Sequence, residues 1–288
     1  MNESALYQAV KKLAAVTHGF QDEILDHAWV WRDHDEGLRF ALIGTYHELR
    51  DLAATLTAGR QSEGFPITVT QHALAQYHAA FRDLEAVMLG VGAEEMDQPP
   101  ADDEWPLRRV LAHMIGVERV FFTLVYLGVD QFRAGLQPTE LEDADLATLF
   151  GHEEVDIEQL VANGSLEDIM DYYQTLHGRV LHEMADLTDE EQWALSRFWE
   201  PEPLPVQYRL HRFDAHLRQH TIQVEKTRAA LGHVPNEAMR LLRLIYNALA
   251  EVEGTLIGAW DFGYILQGDL ASVISNRTDE VIALTKRQ

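Results

Sequence analysis

The chain has 288 residues, is 47% hydrophobic, and carries 23 basic against 47 acidic residues for a formal charge of −24. That length and apolar content support one large domain or two modest ones and exclude a disordered chain. The negative surplus argues against nucleic-acid phosphates and anionic membrane surfaces as partners. With no cysteine, disulfides, thiolate ligands and a cysteine nucleophile are all excluded, so a metal could be held only by nitrogen and oxygen.

Met1-Asn2-Glu3-Ser4 has neither the basic region nor the apolar run of a secretory leader. The longest apolar segment, Val110 to Val129, is interrupted by His113, Glu118 and Arg119 and reads as a buried helix rather than a membrane span. A soluble, cytoplasmic protein is therefore expected.

Prolines punctuate the chain, because proline breaks a helix interior and is tolerated mainly in first turns and loops. Before Pro66 two helices are expected, about Ser4 to His27 and about Asp35 to Ala58, with Asp35 as the cap of the second. Leu38, Leu42, Thr45, Leu49, Leu52 and Leu56 give that second helix its apolar stripe. A third helix spans Thr70 to Val91, with Leu74, Tyr77, Phe81, Leu84 and Met88 on one face. An acidic loop with Pro99-Pro100 follows, and Pro106 opens a fourth helix to about Leu127, with Asp102, Asp103 or Glu104 available as cap.

Residues Gln137 to Asn163 are acidic and weakly periodic, which suggests short helices and loops. A fifth helix, about Ser165 to Asp186, is capped by Ser165, and a short one is expected to follow Thr188-Asp189-Glu190-Glu191. Trp199 to Pro205 reads as an extended linker, leading into the helix Gln207 to Leu231 that stops at Gly232. Beyond Pro235 lie two more helices, Glu237 to about Trp260 and about Asp269 to Lys286. No segment alternates with a period of two for long, so the expected class is all-α.

Fourteen histidines are present, and spacing sorts them. His216 and His220 form the only pair four residues apart, which puts both rings on one helical face with Phe213, Leu217 and Val224. An unpartnered ring there would be costly, so each ring needs a partner. The same pair spacing also occurs at ordinary surfaces and interfaces, and ligation and that plainer reading stand level. His113 points inward on the Val110, Val117, Val120 and Leu124 face of the fourth helix. Alone it reads as a core histidine bonded to a carbonyl or carboxylate.

The zinc-protease pattern His-Glu-x-x-His, the Glu-x-x-His motif of di-iron bundles and the phosphate-binding glycine loops are all absent. Glu118, Asp214 and Gln223 are candidates to orient imidazoles, and Trp105 and Trp199 to cover the bundle end. Arg209, Arg212 and Arg218 could hold an anion, although salt bridges with the surplus acids are the simpler reading. Trp29, Trp31 and Arg32-Asp33-His34-Asp35 resemble a local ligand cluster, with capping by Asp35 the plainer account.

Trp105-Pro106-Leu107-Arg108-Arg109-Val110-Leu111-Ala112-His113 resembles the first signature of the DinB-like (YfiT-like) putative metal-dependent hydrolases and transferases. His216-x-x-x-His220-x-x-Gln223, ending at Gly232, resembles their second. The resemblance covers about Pro66 to Pro235. It implies an up-down four-helix bundle over 66–235 with one divalent metal (zinc, nickel or iron) held by His113, His216 and His220.

The family includes thiol-dependent transferases and isomerases that use mycothiol or bacillithiol. The implied activity is metal-dependent thiol transfer or hydrolysis of a small molecule, with a low-molecular-weight thiol among the expected partners. The alternative is a non-catalytic stress-response or binding module with structural histidines. The flanks, 1–65 and 236–288, are expected to pack together as a second helical subdomain, and a homodimer is compatible with either reading.

Overall fold

The computed structural model describes residues 4–153 and 156–286. In chain order its elements are α1 (Ala5–Thr17), α2 (Asp22–Leu25), β1 (Ala28–Trp31), β2 (His34–Gly37), α3 (Leu38–Ser62), α4 (Val69–Met88) and α5 (Ala93–Asp97). They continue with α6 (Leu107–Arg133), α7 (Asp143–Phe150), α8 (Ile157–Asn163) and α9 (Leu166–Met184). The last are β3 (Leu195–Ser196), β4 (Leu204–Pro205), α10 (Val206–Ala230), α11 (Glu237–Gly254) and α12 (Tyr264–Thr285). The class is all-α, with two small antiparallel hairpins, β1–β2 and β3–β4.

The chain divides into two compact units. One comprises the residues up to Ile67, Phe81–Gly90 and those from His233 onward; the other comprises Thr68–Ala80 and Val91–Gly232. In the first, the helices from both ends of the chain pack with one another as a helical subdomain. Its core brings Leu6, Val10 and Leu13 of α1 together with Leu42, Leu49 and Leu56 of α3, Leu242 and Leu249 of α11 and Ile274 of α12. These leucines and isoleucines recur at three- and four-residue spacing, so each helix buries one stripe.

Two expectations for this unit are corrected. The first helix ends at Thr17, and residues 28–37 form a hairpin in which Asp35 pairs with Val30 instead of capping a helix. The turn residues Arg32 and Asp33 both have positive φ, 48° and 67°, the conformation a two-residue hairpin turn demands. Trp29 is buried and Trp31 packs on Phe40, so the aromatics stabilise the hairpin rather than a ligand site. Gly37 occupies the N-cap of α3.

Helix α4, within the 66–235 span expected for the bundle, is shared between the two units. Its second half belongs to the terminal unit because Arg82, 5% exposed, is anchored there. Its guanidinium donates to both oxygens of Glu253 at 2.7 and 2.9 Å and to Glu85 Oε2 at 2.5 Å. Glu85 Oε1 also accepts from the Tyr7 hydroxyl at 2.7 Å, and Arg82 lies over the Tyr7 ring at 4.0 Å. Neighbouring Asp83 takes two bonds from Arg243.

In the other unit, the long helices α4, α6, α9 and α10 form an up-down four-helix bundle. Helix α6 is long and apolar enough to cross a membrane, and Val110, Leu111, Met114, Ile115 and Phe122 lie buried in this bundle. Pro106 is itself the N-cap of α6, with no side-chain capping bond, so none of the three candidate acids takes that role. Ser165 caps α9 through a reciprocal box with Asp168. The acidic excursion supplies the short helices α7 and α8, and Glu191–Trp193 forms one 3-10 turn.

The proline-rich linker is not wholly free, because Leu204 and Pro205 pair with Ser196 and Leu195. At Gly128 of α6 the fit is tight: a Cβ would lie 3.1 Å from Leu195 O and 3.3 Å from Val206 Cγ2, closer than ordinary contact. This close approach seats the start of α10 on the C-terminal part of α6.

Replacing Arg82 with Ala strands two carboxylates in a buried position, and the expected loss of stability is about 3–5 kcal/mol. Urea unfolding at neutral pH measures it, and an unchanged midpoint would show that the network does not hold the unit together.

Candidate metal centre

Helices α6 and α10 run antiparallel: Gly128 of α6 meets Val206 at the start of α10, while His113, nearer the start of α6, meets His216 and His220 further along α10. The four-residue spacing on α10 then presents two rings to the one from α6. Ring centroids lie 5.1 Å apart for His113–His216, 4.7 Å for His113–His220 and 4.4 Å for His216–His220. One nitrogen from each ring fits within a cluster no more than 4.8 Å across.

The closest approach is Nε2 of His216 to Nε2 of His113, 3.2 Å. Burial lowers the pKa of His113, with the nearby His220 adding to the effect. It holds His216 down at about 3, with His220, His113 and Arg212 adding repulsion. Near neutral pH both rings are therefore neutral, and each has a lone pair on one nitrogen.

Gln223 orients the third ring. Its carbonyl oxygen lies 2.8 Å from His220 Nδ1, so that nitrogen carries the proton and Nε2 is left as the free donor. Around the cluster, Trp105 packs on His113 at 5.3 Å and Phe121 on His216 at 5.7 Å, shielding its flanks.

The remaining candidates are sorted by their contacts. Asp214 pairs with Arg218 at 2.7 Å, and Arg209 is buried against Glu200 through two hydrogen bonds, so none of these four serves the histidines. Trp199 is 79% exposed and covers nothing at the bundle end. Glu118 is buried in the bundle core, near Tyr77 and Tyr173. Its Oε1 has no hydrogen-bond partner, and burial pushes its pKa up to about 8 despite the opposing effect of the two hydroxyls. Next to this layer, His78 Nδ1 lies 2.9 Å from His177 Nε2, a pairing from α4 and α9 with no signature in local spacing.

The donor set suits a divalent ion. Two nitrogens each about 2.1 Å from a single ion are separated by roughly 3 to 3.4 Å, and the His113–His216 distance falls in that range. Among the described residues no carboxylate belongs to the cluster, so it is an all-imidazole set, of the kind that suits zinc, nickel or ferrous iron.

The model of the DinB superfamily matches residues 76–224, a span that includes His113, His216 and His220. No curated protein and no solved structure gives a match.

Glu118 has a calculable signature in stability. Below about pH 4.5 folded and unfolded chains both hold its proton and the group contributes nothing. Between 4.5 and about 8 the folded state must retain a proton that the unfolded chain releases, so stability falls as pH rises through this window and levels off above it. Denaturant titrations of wild type and Glu118→Gln across pH 4 to 9 should diverge in that sense, the variant gaining on wild type with rising pH; parallel curves would contradict it.

Proposed function

Since this chain belongs to the DinB superfamily, we propose that His113, His216 and His220 hold one divalent metal ion and that the protein is a metal-dependent enzyme. Its reaction is transfer of a thiol to a small molecule or hydrolysis of one, and a low-molecular-weight thiol is the expected co-substrate. The observation that carries this reading is the convergence of three imidazoles from two helices, with two Nε2 atoms 3.2 Å apart. At that distance one ring can donate its Nε2–H to the other, and with both Nε2 lone pairs turned inward the same spacing suits a shared cation.

Three protein ligands leave coordination positions open, as in catalytic rather than closed structural sites. When bound, the ion would supply Lewis acidity, lowering the pKa of a water or a thiol so that the anion is available at neutral pH. The chain's own residues prepare that chemistry. His216 stays neutral because of burial and neighbouring charge, Gln223 fixes the tautomer and orientation of His220, and Trp105 and Phe121 limit water at the flanks. We place the protein in the cytoplasm, acting on a small molecule rather than on nucleic acid or membrane.

Elemental analysis of untagged protein should find about one equivalent of divalent metal, lost in His216→Ala. Gln223→Ala, which removes only the orienting bond, should weaken metal affinity about 10- to 100-fold. Metal-loaded wild type should accelerate reaction of a thiol with an electrophile, and metal-free protein should not. A wild-type chain that contains no metal and cannot take up zinc, nickel or ferrous iron would overturn the proposal in favour of a non-catalytic module.

A further inference from the structure

The arginines of the bundle are mostly neutralised by the chain's surplus of acids. Arg108 holds Asp97, Arg133 holds Glu191, Arg179 holds Glu183 and Arg228 holds Glu95, in addition to the Arg209–Glu200 and Arg218–Asp214 pairs. Arg109 and Arg212 differ. Among the described residues neither has a carboxylate within ion-pair distance, although the chain carries 47 acidic residues. The acid whose charge Arg212 feels, Glu200, is already bound by Arg209 through two hydrogen bonds.

Their placement is matched. Arg109 precedes His113 by four residues on α6, and Arg212 precedes His216 by four residues on α10, so each shares a helical face with a histidine of the cluster. Each guanidinium also rests on an aromatic ring that packs on that same histidine. Arg109 lies 4.4 Å from the Trp105 ring, which packs on His113. Arg212 lies 5.7 Å from the Phe121 ring, which packs on His216.

Because α6 and α10 are antiparallel, the two arginines bracket the histidines along the helix axes rather than crowding one end. An arginine held by a ring face retains its N–H donors for a planar oxyanion. Arg109 is exposed and Arg212 half-buried, so both remain open to a ligand.

We infer that Arg109 and Arg212 form an anion-recognition pair beside the histidine cluster, and that the small molecule bound there carries carboxylate groups. The assignment deepens the metal-enzyme reading and rests on it for the identity of the neighbouring centre. A flat guanidinium matches a carboxylate through two parallel N–H···O bonds, which gives orientation as well as attraction. In a protein of net charge −24, two cations with no carboxylate in ion-pair distance among the described residues favour an anionic ligand at this place.

The test is isothermal titration of full-length protein with glutarate, its neutral analogue glutaramide, and inorganic phosphate, with metal removed by chelation and again after zinc is restored. Wild type should bind glutarate in both states, more weakly as salt is raised, and should not bind glutaramide. Arg109→Gln and Arg212→Gln should each weaken glutarate binding by about tenfold or more, the usual worth of a charge-assisted pair. Arg240→Gln, in the other unit, should leave it unchanged.

Absence of glutarate binding to wild type, equal binding by the arginine variants, or binding of phosphate without glutarate would each overturn the assignment. Thermal melts and zinc content of the arginine variants should match wild type, which separates loss of the anion site from misfolding. Arginine-dependent glutarate binding by a protein that takes up no metal would sustain this inference while sinking the metal-enzyme reading.

Discussion

The bundle's chemistry depends on the antiparallel register between α6 and α10. Gly128 marks one end of that register, since a side chain there would press on the Leu195 carbonyl and on Val206 and require them to give. With that end set, the rest of α6 is in phase with α10, and His113 arrives opposite a pair that one helical turn has already aligned. A slip of one residue on either helix would rotate its rings by about 100° and separate the nitrogens.

Burial then decides the protonation of what the register assembles. The same desolvation that keeps His216 neutral keeps Glu118 protonated deeper in the bundle, because a low-dielectric interior penalises charge of either sign. The histidine cluster gains lone pairs from this effect. Glu118 gains a donor hydrogen among tyrosine hydroxyls, at the cost of a pH-dependent load on the fold. Buried arginines escape the penalty only by pairing, as Arg82 does with Glu85 and Glu253 and Arg209 does with Glu200.

The helix content was legible because apolar residues recur at helical spacing, and most helix limits followed from proline, glycine and capping residues. The β1–β2 hairpin was not, since four-residue strands are too short for alternation to register and the left-handed Arg32-Asp33 turn lacks glycine. The split role of α4 was also hidden. Its apolar stripe runs unbroken through Phe81, and only the ion pairs of Arg82 and Asp83 with distant residues show where the second half is anchored.

The sequence by itself determined the helical class, the all-nitrogen-and-oxygen character of any metal site, and the His216/His220 pair, because these follow from composition and from spacing within one helix. The matched Arg-x-x-x-His spacing on α6 and α10 was equally present in the string of residues, without any sign of its importance. Only the tertiary structure decided that His113 meets the pair, that Gln223 rather than Glu118 or Asp214 orients a ring, and that Arg209 and Arg218 pair with acids while, among the described residues, Arg109 and Arg212 do not. Those outcomes depend on which helices pack and in what register, and many side chains distant in sequence compete for the same partners.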